Sequence, residues 1–113
     1  MQNDPTPLIR EKALWMRRRA FKMVYDAQLG HPGGDFSAID IMATIYFGVL
    51  SFDPARPDWA ERDRFIMSKG HCIPAWYAAL ALAGYMDESD LMTLRKLNSP
   101  LQGHPDRARM DAI

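Results

Sequence analysis

The residues of this sequence best suited to chemistry are three histidines, each directly behind a glycine: Gly30-His31, Gly70-His71 and Gly103-His104. Imidazole titrates near neutrality, so it can move a proton or donate to a developing oxyanion. A preceding glycine lets the backbone approach a ligand closely, and binding residues concentrate on loops held by a rigid scaffold. Each histidine falls where a loop or a helix start is expected. A plainer alternative is three loop histidines that only satisfy local hydrogen bonds. His71 is the most pointed of the set. The turn Lys69-Gly70-His71 opens a predicted helix, and the unpaired amides and dipole of a helix N-terminus favour a phosphate or diphosphate.

A metal centre is a competing chemistry, with imidazole ligands and a thiolate from Cys72, the one cysteine. The spacing argues against it. The histidines are far apart, none belongs to an i, i+3 or i+4 pair, and Cys72 begins a strongly apolar helix where a core role suits it. No metal ligand is assigned. Arg17-Arg18-Arg19 with Lys22 is expected to be a solvated helix face with no catalytic role. The tryptophans Trp15, Trp59 and Trp76 and the eight methionines read as packing residues.

Helices must position these residues. Ile9, Ala13, Met16, Ala20, Met23, Val24 and Ala27 recur at helical spacing and predict a helix over about 8–29, with Gly30 suited to end it. The stretch His31-Pro32-Gly33-Gly34-Asp35 reads as a tight loop. Ser37 with Asp40 resembles a capping box that starts a second helix over about 38–50. That helix is apolar on nearly every side and needs protein all round it. Residues 64–68 have strand character. A third helix over about 72–83 tolerates Pro74 in its first turn and stops at Gly84. Asp87 or Ser89 could cap a fourth helix ending near Leu97, before a turn-rich stretch over 98–106.

One strand cannot make a sheet. A strand followed by a buried helix is the start of a parallel α/β unit whose other strands come from elsewhere. The fold class is therefore α/β, mostly helical in this chain with about one parallel strand, and residues 1–113 are expected to be an incomplete domain.

Composition narrows the function classes. Fourteen Lys plus Arg balance fourteen Asp plus Glu, which gives no long-range field toward nucleic acid or a lipid surface. A single cysteine excludes an intrachain disulfide framework and suits a reducing cytoplasm. The N-terminal residues have neither a basic nor an apolar signal region. The longest apolar stretch, 72–86, contains Pro74 and Gly84 and is too short for a bilayer core of roughly 30 Å.

Three segments, in order and with matching spacing, resemble the opening of transketolase: Gly30-His31-Pro32-Gly33-Gly34, then Arg62 through His71, then Gln102-Gly103-His104-Pro105-Asp106. The resemblance extends over nearly the whole chain from about Arg10. The Ser68-Lys69-Gly70-His71 form is similar to the subfamily whose enzyme is divided into N-terminal and C-terminal subunits.

The resemblance implies a thiamine-diphosphate-binding fold and a subunit that transfers a two-carbon ketol unit from a ketose, often phosphorylated, to an aldose. It implies thiamine diphosphate with Mg2+ or Ca2+ as cofactors. It also implies companion chains that carry the metal motif and the pyrimidine-binding domain, assembled as a dimer of heteromeric units. His31 and His104 resemble residues that contact hydroxyls near the ketose carbonyl. His71 resembles one that lies between substrate and cofactor diphosphate. The family's Gly-rich cofactor loop and Gly-Asp-Gly metal motif are absent from these residues. A non-catalytic assembly or regulatory subunit that keeps the fold, or ketol transfer in a specialised pathway, stays open beside this expectation. Cys72, one residue from His71, is also a candidate oxidation site.

Overall fold

The structure is a computed structural model that describes residues 4–28 and 30–102. Its elements are helix α1 (Thr6–Ala27), helix α2 (Pro32–Thr44), which runs on into one π-helical turn (Ile45–Val49), and helix α3 (Ile73–Ala83). A 3-10 turn (Gly70–Cys72) leads into α3, and a second 3-10 segment (Glu88–Thr93) follows it.

Helix α1 buries Ala13, Met16, Ala20, Met23 and Val24, the stripe that its periodicity predicts. Its start is held by Asp4, whose Oδ1 accepts the Thr6 N–H at 3.0 Å. Its end differs from expectation. Gln28, not Gly30, takes the left-handed position at φ 57°, and its N–H reaches the Tyr25 carbonyl. Gly30 has a φ of 135°, and a Cβ there would lie 2.8 Å from Cγ2 of Val24. That glycine serves the close passage of the chain over α1 and into α2.

Helix α2 begins at Pro32, well before the predicted start near residue 38, so the expected tight loop is in fact its first turn. The reason is local. Proline has no N–H to lose at the first turn and a φ already suited to a helix, while His31 stays outside as the N-cap. The capping box does not form. Ser37 Oγ donates back to the Gly34 carbonyl at 2.8 Å, and Asp40 pairs with Arg17 of α1 at 3.1 Å. At the far end, the Leu50 N–H bonds the Ile45 carbonyl at 2.8 Å, the longer step that defines the π turn.

Helix α3 is the centre of the fold, with Ile73, Ala75, Trp76, Tyr77, Ala78, Ala79, Leu80 and Ala81 all buried. Its alanines let α1 and α2 pack against it, and the buried residues of all three helices form one core. Gly84 ends α3 at φ 101°, as its sequence position predicts.

The expected strand at 64–68 forms no ladder among the described residues. Its alternation is nevertheless real: Phe65 and Met67 pack against the core, whereas Arg64, Ile66 and Ser68 face solvent. A strand is completed by hydrogen bonds to a neighbour, and although Asp63 just before it donates to the Ser51 carbonyl at 2.8 Å, no described segment pairs with 64–68 itself. The fourth helix shrinks to the 3-10 segment Glu88–Thr93. Asp87 caps it by accepting the Ser89 N–H at 3.1 Å. It cannot extend toward Leu97 because Arg95 turns left-handed at φ 62° and donates its N–H to the Leu101 carbonyl. Among the described residues, no helix is long and apolar enough to cross a membrane.

Candidate functional site

Two of the three histidines meet. His31 is the N-cap of α2 and His71 lies in the 3-10 turn that opens α3. Their rings contact edge to face, with centroids 4.6 Å apart and planes at 80°. Both residues are exposed, so the pair faces outward at the place where two helix N-termini converge. Unpaired amide groups and two histidines in one place suit an anion or a developing oxyanion.

Gly34 permits this approach. A Cβ on it would lie 2.9 Å from the His71 carbonyl oxygen, closer than real Cβ atoms come. A Cβ on neighbouring Gly33 would meet nothing within 4 Å, so the backbone beside His31 is open. Lys69 Nζ lies 3.4 Å from Ser37 Oγ, which in turn donates to the Gly34 carbonyl. The turn before His71 is thereby tied to the first turns of α2.

Asp35 is the residue that sequence reasoning passed over. It is 1% exposed, and its Oδ1 accepts the Ala75 N–H in the first turn of α3 at 3.0 Å. Its Oδ2 is buried without a hydrogen-bond partner. Burial pushes its carboxyl up to about 6, against the lowering effects of the Ala75 bond and of the Lys69 charge. The available signal was an acidic residue inside what proved to be the first turn of a helix, directly before Phe36.

The third motif is reached only at its edge. Tyr77 Oη of α3 donates to the Gln102 carbonyl at 2.8 Å, and the Gln102 side chain donates to the carbonyls of Lys96 and Ser99. The chain entering this motif is thus anchored to α3. His104 lies outside the described residues.

Cys72 does not have the surroundings of a reactive thiol. It is 1% exposed, its Sγ contacts the Lys69 carbonyl at 3.4 Å and Met67 Sδ at 3.6 Å, and burial pushes its thiol up. A buried thiol with a raised pKa offers little thiolate, so the expected oxidation site becomes a core residue. Among the described residues, no group of three or more His, Cys, Asp or Glu is placed to hold a metal ion.

Helices converging by their N-termini on an exposed histidine pair make a fragment of an α/β fold with a surface suited to an anion. Comparison with known proteins gives the family. Residues 10–113 match the thiamine diphosphate binding domain of transketolase, and the chain belongs to that family. It is 40% identical to one of the subunits of the apulose-4-phosphate transketolase of Phocaeicola vulgatus, over 79% of this chain and 32% of that protein. It is 39% identical to one of the subunits of a 6-deoxy-6-sulfo-D-fructose transketolase from Clostridium sp., over 93% of this chain and 38% of that one. The solved transketolase of Leishmania mexicana superposes with a TM-score of 0.87 at 34% identity, over 93% of this chain and 16% of that chain. The chain therefore spans about a third of the length of the two subunits it resembles.

Proposed function

We propose that this chain supplies the N-terminal portion of the diphosphate-binding domain of a split transketolase and acts, with companion chains, in transfer of a two-carbon ketol unit from a ketose to an aldose. The observation that carries this is the edge-to-face pair of His31 and His71 at the converging N-termini of α2 and α3.

His71, on the turn that opens α3, is assigned to the cofactor diphosphate and to the adjoining substrate. The exposed His71 ring and the open backbone at Gly33 fit the approach of an anionic group. His31 and His104 are assigned to the hydroxyls next to the ketose carbonyl, where cleavage between C2 and C3 needs a base for the C3 hydroxyl and donors for the developing alkoxide. Thiamine diphosphate, when bound, supplies the electron sink that carbon–carbon cleavage requires.

The divalent metal, Mg2+ or Ca2+, is assigned to ligands on a companion chain or outside the described residues. Companion chains also supply the pyrimidine-binding domain, and the assembly is proposed as a dimer of heteromeric units in the cytoplasm. The two split relatives are named for a sugar phosphate and a sulfosugar, which favours a ketose carrying an anionic group as donor.

The test is purification of the native assembly, identification of companions and thiamine diphosphate by mass spectrometry, and assay of ketol transfer with H71A and H104A variants. Loss of about 10²- to 10⁴-fold in rate with assembly intact is expected for a proton-transferring residue. Unchanged rates in an intact assembly would leave the chain a non-catalytic assembly subunit.

A further inference from the structure

The histidine pair is held together by something other than the histidines. Both are exposed, and an edge-to-face contact of two solvated rings is a weak constraint. The segments that carry them are joined beneath the surface. Gly34 brings the α2 backbone against the His71 carbonyl, and one residue further on Asp35 reaches α3 and accepts the Ala75 N–H.

Helix α3 needs that acceptor. Its own N-cap, Cys72, makes no side-chain cap hydrogen bond, and Pro74 has no N–H. The Ala75 N–H is a first-turn donor with no partner inside its helix, and it is buried. Asp35 therefore caps α3 from another helix. Because the cap is supplied from α2, the position of the α3 N-terminal turn, and of His71 on it, is referred to the turn that carries His31.

We propose that Asp35 is the positioning residue of the site: its carboxylate clamps the first turn of α2 to the first turn of α3 and so fixes the separation of His31 and His71. A buried carboxylate with one oxygen unpartnered is costly in an otherwise apolar core, and an uncharged acceptor would satisfy the Ala75 N–H at lower cost. Lys69, whose Nζ lies 3.4 Å from Ser37 Oγ, braces the same junction from the solvent side.

This inference rests on the proposed roles of His31 and His71, but its test does not require activity. The chain has three histidines, so histidine-labelled protein, with any companion chains left unlabelled, reports the pair directly through the cross-peak between the His31 and His71 ring protons. D35N keeps an acceptor oxygen toward Ala75 and is expected to keep the cross-peak at wild-type intensity. D35L keeps the branched shape with bulkier methyl groups and no acceptor, and D35A removes the acceptor without adding bulk. Both are expected to lose the cross-peak while the core spectrum persists. In an active assembly, D35L should also lower kcat by about ten- to a hundredfold, with D35N restoring it.

A full-intensity cross-peak in folded D35L or D35A would overturn the clamp while leaving the transketolase assignment untouched. Loss of the cross-peak in D35N as well would overturn it too, since the acceptor would then be irrelevant. If D35N folds but neither D35L nor D35A does, Asp35 is a requirement of the fold and not a positioning residue. Wild-type activity in D35L with the cross-peak gone would keep the clamp and remove the role of the pair in catalysis.

Discussion

The indole N–H of Trp76 donates to the hydroxyl oxygen of Tyr46 at 2.7 Å, and this bond joins α3 to the π turn that extends α2. Trp76 is 2% exposed and Tyr46 6%, so neither group can turn to water. Burial pushes the Tyr46 phenol up to about 12, which keeps it neutral. The rings of Phe65 and Phe52 pack edge-on against Tyr46 and close the far end of the core.

Replacement of Tyr46 by Phe keeps the ring and removes the acceptor. The Trp76 N–H is then buried without a partner, and stability is expected to fall by about 1–3 kcal/mol. Denaturant unfolding of wild type and Y46F, followed by tryptophan fluorescence, checks the value. A difference near zero would mean that the indole finds another acceptor.

The two glycines of the first turn of α2 should behave in opposite ways. G34A places a Cβ 2.9 Å from a backbone oxygen that cannot swing aside, so the His71 turn must move. A loss of about 1–3 kcal/mol is expected from overpacking. G33A meets nothing within 4 Å and lies at a helical φ, so it should be neutral or stabilising by up to about 1 kcal/mol. Thermal melts of the two variants side by side decide this. Equal effects would contradict the close approach of Gly34 to His71.

Asp35 gives stability a pH dependence of definite sign. Its pKa is raised from 3.8 to about 6 in the folded chain by burial, with the Ala75 hydrogen bond and the Lys69 charge opposing that rise. Cys72 is the other titratable group coupled to it. Between those values the folded chain keeps a proton that the unfolded chain has lost. Stability from this group is therefore full below pH 3.8 and falls as pH rises to about 6, by on the order of 2–3 kcal/mol. D35N cannot titrate and should remove this slope. Melting temperatures of wild type minus D35N, taken from pH 4 to pH 7, should decline across that window. A difference that rises with pH would reverse the assignment.

Cys72 should be inert in the folded chain. Its burial and raised pKa predict alkylation by iodoacetamide at pH 8 on the order of tenfold slower, or more, than in denatured protein. Peroxide should leave it as a thiol under conditions that oxidise free methionine added to the solution. Equal native and denatured rates would show that the turn at Lys69–Cys72 opens readily.

Much of this protein is legible residue by residue. The apolar stripe of α1, the alanine-rich α3 and its stop at Gly84 all follow from periodicity and from glycine's freedom at positive φ, which are properties of a short window of chain, whereas the α2 helix expected to have protein all round it leaves Ile41 and, in its π turn, Val49 exposed among the described residues. The three Gly-His motifs and the order in which they occur were equally plain. Boundaries set by competing local signals were not. Ser37 and Asp40 imitate a helix start, but Pro32 begins the helix earlier, and Ser37 is left to bond back to Gly34.

Residues 64–68 alternate as a strand should, yet a strand exists only through its neighbours, so no local pattern could complete it. The same limit hid the clamp. Asp35 and Ala75 stand 40 residues apart, and their bond exists because α2 and α3 pack with their N-termini together around the core of α1. The sequence by itself determined which side chains could do chemistry and which faces must be buried. Only the tertiary structure decided that His31 and His71 touch and that a buried carboxylate holds their helices, because such distances are set by the packing of whole helices and not by any stretch of residues read alone.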